Sequence, residues 1–206
     1  NFYKETKAST IFLSATDYEK FYTLKKNNNL DLTGFVGIWK VILLLIISKN
    51  ITQDDKILSK FSKGNIDVLN AAIDEYYMNA FSPEITNVMK VIDESEIVAK
   101  LISKYAEVGG NTSNKVEFTE TRMQHNLYYI EKNFSEAISK LKLNKDIVLF
   151  VDGIDIRPNE IQYSDYIECI RGLVDAAWTL NTSLLQNIRG SRGQLRIVLL
   201  LRPDIY

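Results

Sequence analysis

With 206 residues, 46% of them hydrophobic, and 25 Lys and Arg against 26 Asp and Glu for a net charge of −1, the chain has globular composition. It is long enough to bury a core without disulfides or structural metal. The charge balance argues against a module held to nucleic acid by phosphate contacts, and one cysteine, Cys169, with one histidine, His125, excludes an intrachain disulfide framework and the Cys/His zinc patterns.

Nothing local marks His125 as the base of a Ser-His-Asp or Cys-His site. The longest uncharged apolar run, Val41 to Ile47, even extended to Ile38 through Trp39 and Lys40, is about half of what a bilayer requires, and no signal peptide is visible. The expectation is a reduced, cytoplasmic protein with no membrane span. The chain begins at Asn1 without Met and stops at Tyr206 just after a strand-like segment, which reads as a piece of a longer protein.

Nine Gly and three Pro are few breakers, so long helices are expected. Thr10, Ile11, Phe12 and Leu13 read as a strand ending in a helix cap. Asp17 would open a helix to about Lys26, stopped by Asn27, Asn28 and Asn29. A second helix, about Gly34 to Ser48, is apolar almost all round and is therefore expected to be buried. Three or four short helices follow between Thr52 and Tyr105, with starts at Thr52 and at Ser82 before Pro83. Gly109 to Asn114 read as a surface loop.

Met123, Leu127, Ile130, Phe134, Ala137 or Ile138, and Leu141 then recur at helical spacing, with Asn144 as the stop. Asp146 to Asp152 hold five consecutive apolar residues, the signature of a parallel strand buried on both faces. Tyr166, Ile170, Leu173, Ala177, Leu180, Leu184 and Ile188 form another helical stripe. Tyr166 and Trp178 fall on it or beside it and, with Trp39, are read as core and interface rather than base-stacking platforms. After Arg189 to Gly193 comes a second buried-strand run, Leu195 to Leu201. The expected organisation is the start of an α/β core over residues 1–33, a helical segment over 34–115, and the remainder of the core over 116–206.

Strand, helix, strand at this spacing is a crossover unit, which sets the carboxyl ends of both strands on one rim, where ligands bind in open α/β sheets. Asp152, Gly153, Asp155 and Arg157 follow the first strand, and Arg202, Pro203 and Asp204 follow the second. An apolar strand ending in Asp suits a magnesium nucleotide, because a hard cation prefers oxygen ligands. A second acid can orient the attacking water. Six of the seven arginines lie between positions 157 and 202. A guanidinium fork binds phosphate oxygens, and Arg202 at the strand end is well placed for a terminal phosphate. By the same geometry Arg189, Arg192 and Arg196 belong to the opposite, amino-terminal rim.

The segment IVLFVDGID at 147–155 resembles the Walker B strand of additional-strand P-loop ATPases, particularly bacterial groups related to the STAND and KAP NTPases, and RIVLLLRPD at 196–204 resembles their sensor-1 strand. The two motifs cover about 60 residues, Lys145 to Asp204. The resemblance implies ATP and Mg2+ as cofactors, Asp152 on the magnesium side, Asp155 as the water-orienting acid, Arg202 as the sensor arginine, and, as a weaker carry-over, Arg157 as a contact to the nucleotide, to a neighbouring subunit or only within the turn. It implies a sheet of order 5-1-4-3-2, with residues 10–14, 147–152 and 195–201 as strands 2, 3 and 4. A switch ATPase that assembles into a homo-oligomer or with a protein partner, in bacterial signalling or phage defence, is the function it suggests.

No G-x-x-x-x-G-K-[ST] occurs in these 206 residues, and Gly34 to Lys40 and Gly110 to Lys115 are only partial imitations. The expectation is that strand 1 and its P-loop precede Asn1 and cover the edge of the 195–201 strand. A phosphoaspartate phosphotransferase fits less well, since its acids usually stand one residue apart and two residues separate Asp152 from Asp155. The competing function is a non-catalytic interaction or scaffold module with a degenerate nucleotide site.

Overall fold

The computed structural model describes residues 5–13, 32–52, 67, 120–154, 157, 159, 161–186 and 188–202. The expected helix at 17–26, the short helices between 52 and 105, the 109–114 loop and Asp155 lie outside the described residues. The described elements run β1 (Thr6–Phe12), α1 (Leu32–Thr52), α2 (Glu120–Ser139), β2 (Asp146–Asp152), α3 (Tyr163–Leu180), a π-helical turn (Asn181–Leu185) and β3 (Leu195–Leu199). This is an α/β arrangement with a three-stranded sheet of order β1-β2-β3.

Both pairings are parallel, with Thr6 opposite Asp146 through Phe12 opposite Asp152, and Ile147 opposite Leu195 through Val151 opposite Leu199. Residues opposite one another share a sheet face, because side chains alternate along each strand. Ile147, Leu149 and Val151 of β2 and Leu195 and Ile197 of β3 therefore point together into the core that contains the buried helix residues. The other face carries Ala8, Thr10, Phe12, Val148, Phe150, Asp152, Arg196, Val198 and Leu200, all exposed or half-exposed. The expected burial of β2 on both faces is thus corrected to burial on one. Uniform hydrophobicity satisfies the core face, and the described helices pack on that face alone.

α1 is apolar on every side, and Val41 to Ser48 are buried without interruption. It packs against α2 and α3. The Trp39 indole donates to the Cys169 carbonyl (3.1 Å), and Lys40 pairs with Glu131 of α2 at 2.9 Å. Among the described residues no helix is long and apolar enough to cross a membrane. α2 buries Leu127, Ile130, Phe134 and Ile138, so Ile138 rather than Ala137 continues the stripe.

α3 buries Tyr166, Cys169, Ile170, Gly172, Leu173, Ala176, Ala177 and Leu180. The π turn then inserts an extra residue, so Leu185 rather than the expected Leu184 takes the next core position. Its composition favours the distortion: Thr182 and Ser183 turn their hydroxyls back onto the carbonyls of Trp178 (2.8 Å) and Thr179 (2.6 Å), which loosens and bends a helix end. Trp178 is one residue past Ala177 and is 70% exposed. Of the core or interface places expected for it, the core is excluded, whereas Trp39 and Tyr166 are buried as expected.

Candidate functional site

β2 is the central strand, so its carboxyl end is flanked on both sides. Leu13 N–H donates to the Asp152 carbonyl (2.8 Å), and Leu200 N–H donates to the Val151 carbonyl (2.9 Å), extending both ladders to the rim. Asp152 sits between Phe12, opposite it in register, and Leu200. Arg202 follows two residues beyond Leu200. The parallel register therefore brings Asp152 and the Arg202 segment to the same rim on adjacent strands, as expected of a crossover unit.

Asp152 is half-exposed and accepts from the Gly153 N–H through Oδ1 at 2.7 Å. It makes no other side-chain hydrogen bond among the described residues, which leaves Oδ2 to the rim. Gly153 turns the chain with φ of +77°, and a Cβ there would stand 2.6 Å from the Leu13 carbonyl oxygen, so the position combines a left-handed backbone with a close approach. The segment beyond it is anchored from below. The buried Tyr166 hydroxyl donates to the Ile154 carbonyl at 2.5 Å.

Arg157 is exposed, and its Nη1 donates to the Ile161 carbonyl at 2.8 Å, closing the loop upon itself. Arg202 is exposed as well. Asp155, the expected water-orienting acid, is outside the described residues. Phe12 (72% exposed) and Leu200 (41%) are features that sequence reasoning did not single out, and they give the rim an apolar floor. Strand alternation could have found them, since both share the face of Asp152.

The opposite rim carries three further arginines. Arg189, Arg192 and Arg196 are exposed there, as the strand direction requires. That end is cross-linked: Ser191 Oγ donates to the Leu141 carbonyl (2.9 Å) and accepts from the Leu143 N–H (3.0 Å), and the Asp146 carboxylate accepts from the Gln194 N–H at 2.7 Å. On the outer side of β3 no further strand pairs among the described residues. The Asn181 side chain holds the Ile197 backbone there instead.

The fold and rim define an α/β protein with a parallel sheet whose central strand presents an aspartate at its carboxyl end. No family model matches the chain, and neither the curated proteins nor the solved structures contain a match to it.

Proposed function

We propose that the chain is part of an ATP-binding and hydrolysing switch ATPase with a partial P-loop-type sheet, in which β1, β2 and β3 correspond to strands 2, 3 and 4. The observation that carries the reading is the parallel register that brings Asp152 and Arg202 to one rim. The donor set suits Mg2+: a half-exposed carboxylate with one oxygen committed to Gly153 offers a single hard ligand, and Mg2+ in nucleotide sites is held by one or two carboxylates plus phosphates and water. When bound, Mg2+ would neutralise phosphate charge and polarise the terminal phosphoryl group.

The chain's own residues divide the remaining work. Asp152 holds the metal side of the nucleotide, with the backbone after it turned sharply by Gly153. Asp155 orients the attacking water, and Arg202 donates to the terminal phosphate, so that gain or loss of that phosphate moves the end of β3. Arg157 contributes a local brace to the same loop. The phosphate-cradling loop is supplied from outside these 206 residues, which contain no G-x-x-x-x-G-K-[ST].

The deciding experiment is Mg-ATP-dependent thermal stabilisation of the natural full-length protein beside its Asp152→Ala variant. Stabilisation in the wild type that disappears in the variant is expected. An unshifted wild type favours the second reading, a scaffold without nucleotide. That reading has its own support in the outer sheet face, where Phe12 and Leu200 are exposed.

A further inference from the structure

Tyr166 is buried in the first turn of α3, and a buried tyrosine hydroxyl needs a hydrogen-bond partner. Its partner is the Ile154 carbonyl at 2.5 Å, twelve residues back in the chain. The pairing of β1 with β2 stops at Asp152, so that carbonyl lies beyond the sheet ladder. The phenol thus satisfies a backbone group that no neighbouring strand reaches.

Other contacts hold the same turn. Asp152 Oδ1 accepts from the Gly153 N–H (2.7 Å), and Gly153, with φ of +77°, passes so close to the Leu13 carbonyl that no Cβ fits. The Ile154 side chain is buried in the core, and so is Ile161 at the far end of the loop. There the Ile161 carbonyl accepts from Arg157 Nη1 (2.8 Å), and the Gln162 carbonyl accepts from the Tyr166 N–H (3.0 Å) as α3 begins. Tyr166 therefore joins the start of the loop to the helix that receives its end. The residue after Ile154 is Asp155, so the tie stands one residue from the acid to which the proposed function gives the attacking water.

We infer that Tyr166 is a positioning residue for the carboxyl rim: its hydroxyl holds the backbone that joins the metal-side carboxylate, Asp152, to the water-orienting acid, Asp155. The inference rests on the ATPase reading of that rim. Tyr166 is buried and acts through the Ile154 carbonyl. Catalytic groups must be held closely, since a displacement of about 1 Å can cost on the order of a hundredfold in rate. Asp152 is fixed separately, by the Leu13 N–H on its carbonyl (2.8 Å) at the end of the ladder. Loss of the Tyr166 hydroxyl should therefore fall on turnover and spare nucleotide binding.

The test sets Tyr166→Phe, which keeps the ring in the core, beside the wild type in the natural full-length protein. Steady-state ATP hydrolysis with Mg2+, Mg-ATP-dependent thermal stabilisation and amide exchange of the 152–157 segment are read on both. The expected kcat falls about tenfold to a hundredfold. KM and the stabilisation by Mg-ATP stay at their wild-type values, and the segment exchanges faster. Ser191→Ala is the control, since it removes two hydrogen bonds at the opposite rim and should leave kcat unchanged.

An active wild type with Tyr166→Phe at the same kcat overturns the inference, as does a fall in kcat that Ser191→Ala matches, or a change confined to KM. Tyr166→Phe without the wild-type circular dichroism spectrum would make the hydroxyl a structural tie, and that too overturns it. A wild type stabilised by Mg-ATP but without turnover leaves Tyr166 nothing to position and sinks this role alone. A wild type that neither binds nor hydrolyses Mg-ATP ends the ATPase reading itself, and the role with it.

Discussion

The two ends of the sheet use their polar groups differently. At the amino-terminal end the chain ties the β3 approach to the β2 approach. Ser191 grips Leu141 and Leu143, Arg192 and Gly193 N–H groups share the Leu143 carbonyl at 2.8 and 3.0 Å, and Asp146 holds Gln194. At the carboxyl end, among the described residues, the Asp152 carboxylate accepts only from the residue after it, Arg157 bonds within its own loop, and apolar Phe12 and Leu200 stand in solvent. Polar groups used up in cross-links are structural. Among the described residues the carboxyl end keeps a carboxylate that is not tied into a cross-link, and the proposed ligand site rests on that contrast.

Substitutions can break or sharpen that contrast. The largest effect is expected at Gly193, where a Cβ would stand 1.7 Å from the Lys145 carbonyl oxygen, backbone against backbone. Gly193→Ala must push the two approaches apart, and a loss of about 4 kcal/mol, at the exceptional end of single substitutions, is expected in urea unfolding. Ser191→Ala comes next. It removes a hydroxyl that donates once and accepts once, and leaves the Leu143 N–H without its partner, so about 1–3 kcal/mol should be lost, read as a lower denaturation midpoint at unchanged slope.

The smallest effect belongs to the other rim. Asp152→Asn keeps an oxygen for the Gly153 N–H and should leave stability within about 0.5 kcal/mol of wild type, as surface changes usually do. If Asp152→Asn proved as costly as Ser191→Ala, the carboxyl rim would be a structural lock like its counterpart and the functional contrast would fail.

Much of the described fold was legible. Asp146 to Asp152 carry an unbroken apolar run and form β2 over those same residues. Leu127, Ile130, Phe134 and Ile138 keep helical spacing and lie on one buried face. Other features were not legible, for identifiable reasons. β1 begins at Thr6, ahead of the apolar run at Thr10, because its first half alternates Thr, Lys, Ala and Ser and is held by pairing to β2 rather than by its own hydrophobicity. Helix α1 extends from Leu32 to Thr52, beyond the expected Gly34 to Ser48, because polar end turns add hydrogen bonds without adding to an apolar pattern. Trp178 reads as apolar in any periodicity count, yet periodicity reports which residues could face a partner and not whether one is there.

Of the candidate site, the strand-terminal position of Asp152 was legible, and β3 lies beside β2 in parallel as expected but ends at Leu199 rather than Leu201, so Arg202 follows three residues beyond the strand. The closing of Arg157 onto Ile161 was not, because a long flexible side chain chooses among acceptors that only the folded loop supplies.

Among the described residues the amino-acid sequence by itself determined where the apolar strand runs and helical stripes lie and which strand ends carry charge, because those depend on local spacing and on backbone direction. The tertiary structure alone decided which face of the sheet is covered, where the π turn shifts the core from Leu184 to Leu185, and that Asn181 reaches the Ile197 edge. The covered face and the Asn181 tie depend on the meeting of groups sixteen or more residues apart, and no local pattern encodes a contact whose two halves are brought together only by packing.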